Sequence, residues 1–197
     1  MLEFEPKHHV YTLDGIEIPS VSHLTRFLTR EVYGDCDPII LERAADKGTR
    51  VHKACEMLDK EGSVECDENI AGYIKAYADF RSTYNEPFLK IEEPFYKETE
   101  YGTYAGTIDR AWSNSIIDIK TTKSISKLHK IIYTAQLSLY ANGVNPEANL
   151  YILQLKEDGT YKIIPVEYNE ELVTMCLKLN QMFTKTKRKK KEVIANG

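Results

Sequence analysis

The spacing of apolar residues changes twice along this chain, and this change constrains the fold more than any other feature of the sequence. Between 20 and 84, apolar residues recur every three or four positions, which is typical of amphipathic helices. From 88 to 122 they alternate with polar residues, and this period of two indicates three successive strands joined by short turns. Beyond 126 the helical spacing returns, interrupted by two further strands.

Turn and cap residues mark where these elements begin and end. The segment 8–21 is typical of a hairpin around the Asp14-Gly15 turn, and Ser20 or Ser22 can cap the helix that follows it. Further helices are expected at 38–60, where Gly48 could divide the helix in two, and at 68–84, 126–143 and 169–185. Strands are expected at 88–102, 103–112, 115–122, 148–156 and 160–166. We therefore predict an α/β fold with a mixed central sheet flanked by helices and a helical N-terminal portion.

Length and charge indicate one globular domain with a basic end. At 197 residues the chain has the size of a single domain, which we place at 1–184, followed by a basic C-terminal tail at 185–197. The net charge is −4, but 185–191 carries the dense basic run KTKRKKK. A solvated, frayed end would explain this run, and so would a nucleic-acid contact. Phosphate binding is predicted for Lys187, Arg188, Lys189 and Lys190.

The sequence also disfavours several classes of protein. No apolar run reaches the roughly 18 residues of a membrane span, and the first residues contain no secretory stretch. We therefore expect a cytoplasmic protein without a membrane partner. The cysteines at 36, 55, 66 and 176 are scattered without a C-x-x-C pair, which favours isolated thiols in a reducing compartment over a cysteine-bound metal site.

The residues that suggest chemistry lie on the second and third strands of the central group. Asp118 and Lys120 are two positions apart on one strand and so face the same side, among isoleucines that imply burial. Asp109, on the preceding strand, can approach Asp118 because the turn at 113–115 is short. Two converging carboxylates suit Mg²⁺ or Mn²⁺, and an adjacent lysine can orient or deprotonate a water near a phosphate. A half-exposed Asp–Lys pair on a sheet surface would produce the same motif.

Two pairs of helical residues and one further acid extend this cluster. His52 and Glu56 are one helical turn apart, so His52 could bind the same cation; a partly buried histidine bonded to Glu56 is the structural alternative. Gln136 and Tyr140 are also one turn apart and can hydrogen-bond phosphate or sugar oxygens, or serve as ordinary residues of an amphipathic face. Glu93 is a further candidate acid, or simply a charge on an edge strand.

Four motifs follow one another between about 48 and 140. They are Gly48-x-x-x-His52-x-x-x-Glu56, Gly106-x-x-Asp109, Asp118-Ile119-Lys120-Thr121 and Gln136-x-x-x-Tyr140. Their order resembles the RecB-type branch of the PD-(D/E)XK nucleases. That branch includes the RecB and AddB nuclease domains, CRISPR-associated RecB-like exonucleases, mitochondrial genome maintenance exonuclease and many small phage nucleases. The resemblance implies a restriction-endonuclease-like core, and the size of the chain looks most like a stand-alone phage or prophage recombination nuclease.

The resemblance also implies a role for each matched residue. Metal binding is implied for His52, Asp109, Asp118, the backbone carbonyl of Ile119 and, in a looser alignment, Glu93. Lys120 would position or activate the attacking water. Gln136 and Tyr140 would hold the DNA strand near the scissile phosphate. Glu56 would interact with His52 without itself binding the metal.

The resemblance further bears on cofactors and partners. CRISPR-associated members carry an iron–sulfur cluster bound partly by closely spaced cysteines near the C-terminus, whereas this chain has only Cys176 there. We therefore expect Mg²⁺ or Mn²⁺ and no iron–sulfur cluster. There is no Walker A motif in the sequence, so a helicase partner would be a separate chain.

Three functions are compatible with these residues. The first is a metal-dependent DNA exonuclease acting in phage or prophage recombination, repair or replication. The second is a non-catalytic nucleic-acid-binding module on the same fold, against which the intact Asp109, Asp118 and Lys120 argue. The third is an interaction protein of a recombination complex, with a single-strand annealing protein or a helicase as partner, and it is compatible with nuclease activity.

Overall fold

The computed structural model describes the backbone of residues 1–6, 8–65 and 67–195, and within these ranges the side chains up to residue 184. The elements, in chain order, are β1 (Leu2–Glu5), β2 (Val10–Leu13), β3 (Ile16–Ile18), α1 (Val21–Leu24), α2 (Arg26–Tyr33), α3 (Pro38–Glu61), α4 (Glu68–Thr83), β4 (Lys90–Thr99), β5 (Gly102–Trp112), β6 (Ser115–Lys120), α5 (Lys127–Val144), β7 (Asn149–Leu155), β8 (Tyr161–Val166) and α6 (Glu170–Ala195).

The central sheet contains five strands in the order β4-β5-β6-β7-β8. Strands β6 and β7 are parallel, and the other neighbouring pairs are antiparallel. A parallel pair needs a long crossover connection, and α5 supplies it between β6 and β7. The predicted mixed α/β fold is confirmed, and its arrangement is consistent with a restriction-endonuclease-like core.

Helices cover both faces of this sheet and bury the inner strands. One hydrophobic cluster joins α1, α5 and α6 to residues such as Ile116 and Ile152, and the other joins α3 and α4 to residues such as Ile117 and Leu153. Adjacent residues of β6 and β7 therefore face opposite layers, as expected for strands that are buried on both sides. Asp118 lies on β6 within this doubly covered region and is 1% exposed.

The N-terminal region differs from the prediction in two ways. The expected hairpin forms as β2 and β3, but β1 adds a third strand, and a bridge between Ser20 and Ala105 joins this small sheet to β5. The helix expected after Ser20 is divided at Thr25, because α1 ends at Leu24 and α2 begins at Arg26. Ser20 caps α1 by accepting a hydrogen bond from the backbone N–H of His23.

Two other helices are longer or more regular than predicted. Helix α3 runs through Gly48 without interruption, since the chain there keeps helical geometry from Pro38 to Glu61. Helix α6 continues past 185 to Ala195, so the described part of the segment predicted as a tail is helical in its backbone. Within the described part of the chain, no helix is long and apolar enough to cross a membrane.

Candidate active site

The candidate site lies where β5 and β6 separate. The two strands pair only at Arg110–Ile117, Ala111–Ile116 and Trp112–Ser115. Beyond this point the Asp109 carboxylate replaces a backbone acceptor, and its Oδ2 accepts a hydrogen bond from the N–H of Ile119 at 2.7 Å. The side chain of Asp109 is thereby held at the opening between the strands, and it is only 7% exposed as a residue.

A cleft of about 650 Å³ opens at this point and collects most of the residues selected from the sequence. The predicted site residues that line it are His52, Glu56, Asp109, Asp118, Lys120, Gln136 and Tyr140. They come from α3, β5, β6 and α5, so elements separated by up to 88 positions in sequence meet here. The convergence of the helical half of the chain with the sheet, predicted from the motifs, is present in the fold.

Three side chains in this cleft form a group able to hold a metal ion. One ligand atom each from His52, Glu92 and Asp109 lies within 4.8 Å of the others. Nδ1 of His52 is 3.6 Å from Oε1 of Glu92 and 3.6 Å from Oδ1 of Asp109. Nε2 of His52 is 3.1 Å from the carbonyl oxygen of Ile119, so this predicted backbone ligand lies beside the same group.

The acid that β4 contributes to this group is Glu92. The candidate chosen from the sequence, Glu93, lies outside the group. Strict alternation along β4 would put Glu93 on the same side as the buried Phe95. Glu92 lies on the opposite side, next to His52 of α3, and its backbone φ of 48° is unusual for a residue with a side chain. Glu92 therefore lines the cleft, whereas the carboxylate of Glu93 pairs with Lys90.

Asp118 and Lys120 form an ion pair that continues onto α5. Nζ of Lys120 lies 2.9 Å from Oδ1 and 2.8 Å from Oδ2 of Asp118, and it donates to Oε1 of Gln136 at 3.0 Å. Nε2 of Gln136 in turn donates to the hydroxyl of Tyr140 at 2.8 Å. The ammonium also lies 4.9 Å from the centre of the Tyr133 ring. Lys120 is thus held in one position at the edge of the cleft.

The charges of the site shift the pKa values of its members. Burial raises the pKa of Asp118 to about 6, although the Lys120 ammonium opposes this shift. Burial also raises the pKa of Asp109, against the effect of His52. Burial would lower the pKa of His52, but the negative charges of Asp109 and Glu92 outweigh it and raise the pKa to about 9. At neutral pH His52 is therefore an imidazolium, and it balances these acids together with Arg110 and Lys120.

The predicted role of Glu56 behind His52 is not what the structure shows. Although Glu56 lines the cleft, its carboxylate accepts hydrogen bonds from Lys53 at 2.9 Å and from Lys60 at 2.7 Å, one helical turn away on α3. The nearest acids to His52 instead come from the sheet. The side chains of Lys187, Arg188, Lys189 and Lys190 lie outside the described residues, so their phosphate contacts stay a prediction.

A buried charge network behind the site was missed by the sequence reasoning. Arg110 is fully buried, and its Nε donates to Oδ2 of Asp59 at 2.6 Å and to the hydroxyl of Tyr77 at 3.0 Å. Its Nη1 donates to Oε1 of Glu92 at 3.0 Å and to the carbonyl oxygen of Asp109 at 2.5 Å. Arg110 directly follows Asp109, and a charged residue within an apolar strand was the available signal for such a network.

The donors in the cleft suit a hard divalent cation. Carboxylate oxygens and an imidazole nitrogen are ligands that Mg²⁺ or Mn²⁺ accepts. Oδ2 of Asp118 is buried without a hydrogen-bond partner, apart from the charge of Lys120. A buried carboxylate oxygen normally accepts a hydrogen bond, so this atom keeps acceptor capacity that a cation could use, although the Lys120 ammonium lies 2.8 Å away. The residues present therefore fit a metal site.

Comparisons with known proteins give a likeness in fold. No family model matches the chain, and no curated protein does. The crystal structure of SSO0001 matches over 88% of this chain and 78% of that one, with a TM-score of 0.52 and 16% identity. An alkaline exonuclease (LHK-Exo) from Laribacter hongkongensis matches over 75% of this chain and 87% of that one, with a TM-score of 0.42 and 14% identity. The likeness to SSO0001 shows a shared fold alone, and the lower score of the second match carries no conclusion.

Proposed function

We propose that this chain is a divalent-metal-dependent nuclease of the PD-(D/E)XK superfamily, in its RecB-type branch, which hydrolyses phosphodiester bonds in DNA. The observation that carries the proposal is the meeting of His52, Glu92 and Asp109 within 4.8 Å of one another, in the cleft that also contains the Asp118–Lys120 pair. A site with several acids and a fixed lysine beside them is suited to phosphoryl chemistry in the presence of a cation.

Each group of residues has a separate task in this proposal. His52, Glu92, Asp109 and Asp118, with the carbonyl of Ile119, would hold the cation. When bound, a divalent ion supplies Lewis-acid stabilisation of the negative charge that develops on the phosphate. The proton of His52 has to leave before its nitrogen can act as a ligand.

Lys120 orients the water that attacks phosphorus. Its Nζ is held between Asp118 and Gln136, and a hydrogen bond from this fixed ammonium aligns the water oxygen with the phosphate. The water oxygen bonds to phosphorus and releases one proton to solvent while one ester P–O bond breaks. The leaving alkoxide oxygen takes up a proton from solvent, so the products are a phosphate monoester and a hydroxyl group. Gln136 holds Lys120 directly, and the Tyr140 hydroxyl, whose pKa burial raises, stays protonated and can donate to a phosphate oxygen.

The finer features of the function are proposals of the same kind. We propose Mg²⁺ or Mn²⁺ as the ion and exonuclease action on free DNA ends in the cytoplasm. Phage or prophage recombination, repair or replication would be the setting, with a single-strand annealing protein or a helicase as a separate partner chain. The basic run 185–191 at the end of α6 would add phosphate contacts, because lysine and arginine neutralise the backbone.

The test is digestion of DNA by the purified chain. End-labelled single-stranded, double-stranded and covalently closed circular DNA are incubated with Mg²⁺, Mn²⁺ or chelator. We expect degradation of the linear substrates only, and only with a divalent ion. Lys120→Ala should reduce the rate by roughly 100-fold or more, because it removes the positioned donor. Lys123→Ala, an exposed lysine three residues further on, serves as the matched control and should keep the parental rate.

Two outcomes would contradict the proposal. A Lys120→Ala chain that melts like the parental protein and still degrades DNA at the parental rate would remove Lys120 from the reaction. A parental chain that binds DNA but leaves it intact with every ion would favour a non-catalytic nucleic-acid-binding module.

A further inference from the structure

An aromatic cluster on the small N-terminal sheet forms one wall of the same cleft. Phe4 of β1 and Tyr11 of β2 are cross-strand partners, and their rings stack with centroids 4.5 Å apart and an interplanar angle of 23°. The ring of His9, between these strands, meets both edge-on, at 5.3 Å from Phe4 and 5.4 Å from Tyr11. All three residues line the cleft that contains the acids.

A single hydrogen bond ties this aromatic wall to the strand that carries Asp109. The hydroxyl of Tyr11 lies 2.7 Å from the hydroxyl of Thr107, which also lines the cleft. Thr107 precedes Asp109 by two residues on β5, a separation of about 7 Å along a strand. The rings therefore lie close enough to the acids for one bound molecule to contact both.

Only part of the aromatic cluster is used for packing. Tyr11 is 1% exposed, whereas Phe4 is half-buried and His9 is exposed. A buried aromatic ring is normally covered by other side chains, while a ring that borders a cleft can accept a planar ligand. The backbone of His9 has a φ of 54°, a conformation that residues with a side chain seldom adopt, and the residue lines the cleft.

We propose that Phe4 and His9 form a stacking site for an unpaired nucleobase of the strand whose phosphate enters the acidic end of the cleft. The proposal rests on the nuclease function and deepens it by naming the substrate class. A base in a duplex has both faces covered by its neighbours, so it must leave the stack before it can lie against an aromatic side chain. The preferred substrate is therefore DNA with a single-stranded end.

The experiment measures stacking directly. Two short single strands are used, one with 2-aminopurine at its 5′ end and one with it at its 3′ end. Each is titrated in Mg²⁺ with the Lys120→Ala chain, because this substitution slows degradation of the strand. Stacking quenches the fluorescence of 2-aminopurine. Phe4→Leu keeps the apolar character but removes the ring, and it should abolish the quenching and weaken binding roughly 5- to 100-fold. Phe4→Tyr should retain both.

A matched control uses an aromatic residue outside the cleft. Tyr96 lies on β4, is 45% exposed and does not line the cleft, so Tyr96→Leu should leave quenching and affinity unchanged. A second measurement has one arm that uses only the chain with Phe4 unchanged, so this arm does not depend on how well Phe4→Leu folds. The chain that keeps Phe4 should bind a strand with an abasic terminus more weakly than an intact strand, by the factor that Phe4→Leu loses. The Phe4→Leu chain should bind abasic and intact strands equally.

The outcomes separate this proposal from the nuclease function. The stacking site is overturned if the chain that keeps Phe4 binds intact and abasic strands equally, or binds a blunt duplex as tightly as a single strand. The nuclease function is unaffected by either result, since the parental chain would still cleave DNA. If the parental chain neither binds nor degrades DNA, the nuclease function and the stacking site are both overturned.

Discussion

Arg110 is predicted to stabilise both the fold and the candidate metal site. It is fully buried, the side chain of its partner Asp59 is 2% exposed, and its guanidinium also donates to Glu92 and to the Asp109 carbonyl. Removing one member of a buried ion pair costs about 3 to 5 kcal/mol, because the other charge is left without compensation. Asp59 keeps a second partner in Arg81, whose Nε lies 3.2 Å from Oδ1 of Asp59. We therefore expect a loss of about 3 kcal/mol for Arg110→Met.

The measurement combines unfolding with metal titration. A loss of about 3 kcal/mol should lower the melting temperature by roughly 6 to 12 °C in a chain of this length. Urea unfolding followed by circular dichroism reports the free energy, and isothermal titration reports the affinity for Mg²⁺ or Mn²⁺. Arg110→Met should weaken metal binding as well, since Glu92 loses the donor that orients its carboxylate.

Arg81→Met is the matched control. Arg81 binds the same carboxylate of Asp59 but is partly exposed, and it also donates hydrogen bonds to the carbonyl oxygens of Tyr84 and Glu86. It should therefore lose less stability and keep the parental metal affinity. The reasoning is refuted if Arg110→Met unfolds within about 1 kcal/mol of the parental chain, or if the two variants weaken metal binding equally.

Two further predictions concern the acids and the histidine of the site. Glu92→Gln should weaken binding of Mg²⁺ or Mn²⁺ at least about tenfold, because Glu92 belongs to the group that could hold the ion. Glu93 pairs with Lys90 instead, so Glu93→Gln should leave the metal affinity unchanged. Equal losses of affinity in calorimetry would contradict the choice of Glu92. In chelator, the free energy of unfolding should fall as pH rises from 6.5 through about 9, because folded His52 keeps a proton that the unfolded imidazole releases near 6.5. Thermal melts at three pH values in this window measure the slope. His52→Asn should flatten it, and an unchanged slope would argue against the raised pKa.

The sequence was sufficient for features that depend on local periodicity and short spacing. The change from helical spacing to alternation predicted β4, β5 and β6, and the return of helical spacing at 126 predicted α5, which Ser126 caps. The two-residue separation of Asp118 and Lys120 was enough to place them on one face of β6. Such features follow from backbone geometry within a few residues, so a single sequence contains the information that they require.

The tertiary structure alone decided which acids meet and what surrounds them. The choice of Glu92 over Glu93 depends on which side of β4 faces α3 and His52, and alternation in the sequence does not say which side that is. The early separation of β5 and β6, which lets Asp109 bind the N–H of Ile119, depends on how far two strands pair. The aromatic wall depends on β1, which the spacing of so short a segment did not predict.

The common physical reason is that these features are contacts between distant parts of the chain. Asp59 and Arg110 are 51 positions apart, and Tyr11 and Thr107 are 96 positions apart. The energy of a buried charge or an exposed ring is set by its neighbours in space, whereas local pattern reports only the neighbours in sequence. The sequence by itself thus determined the elements and the chemistry available to them, and the packing of those elements decided the geometry of the site.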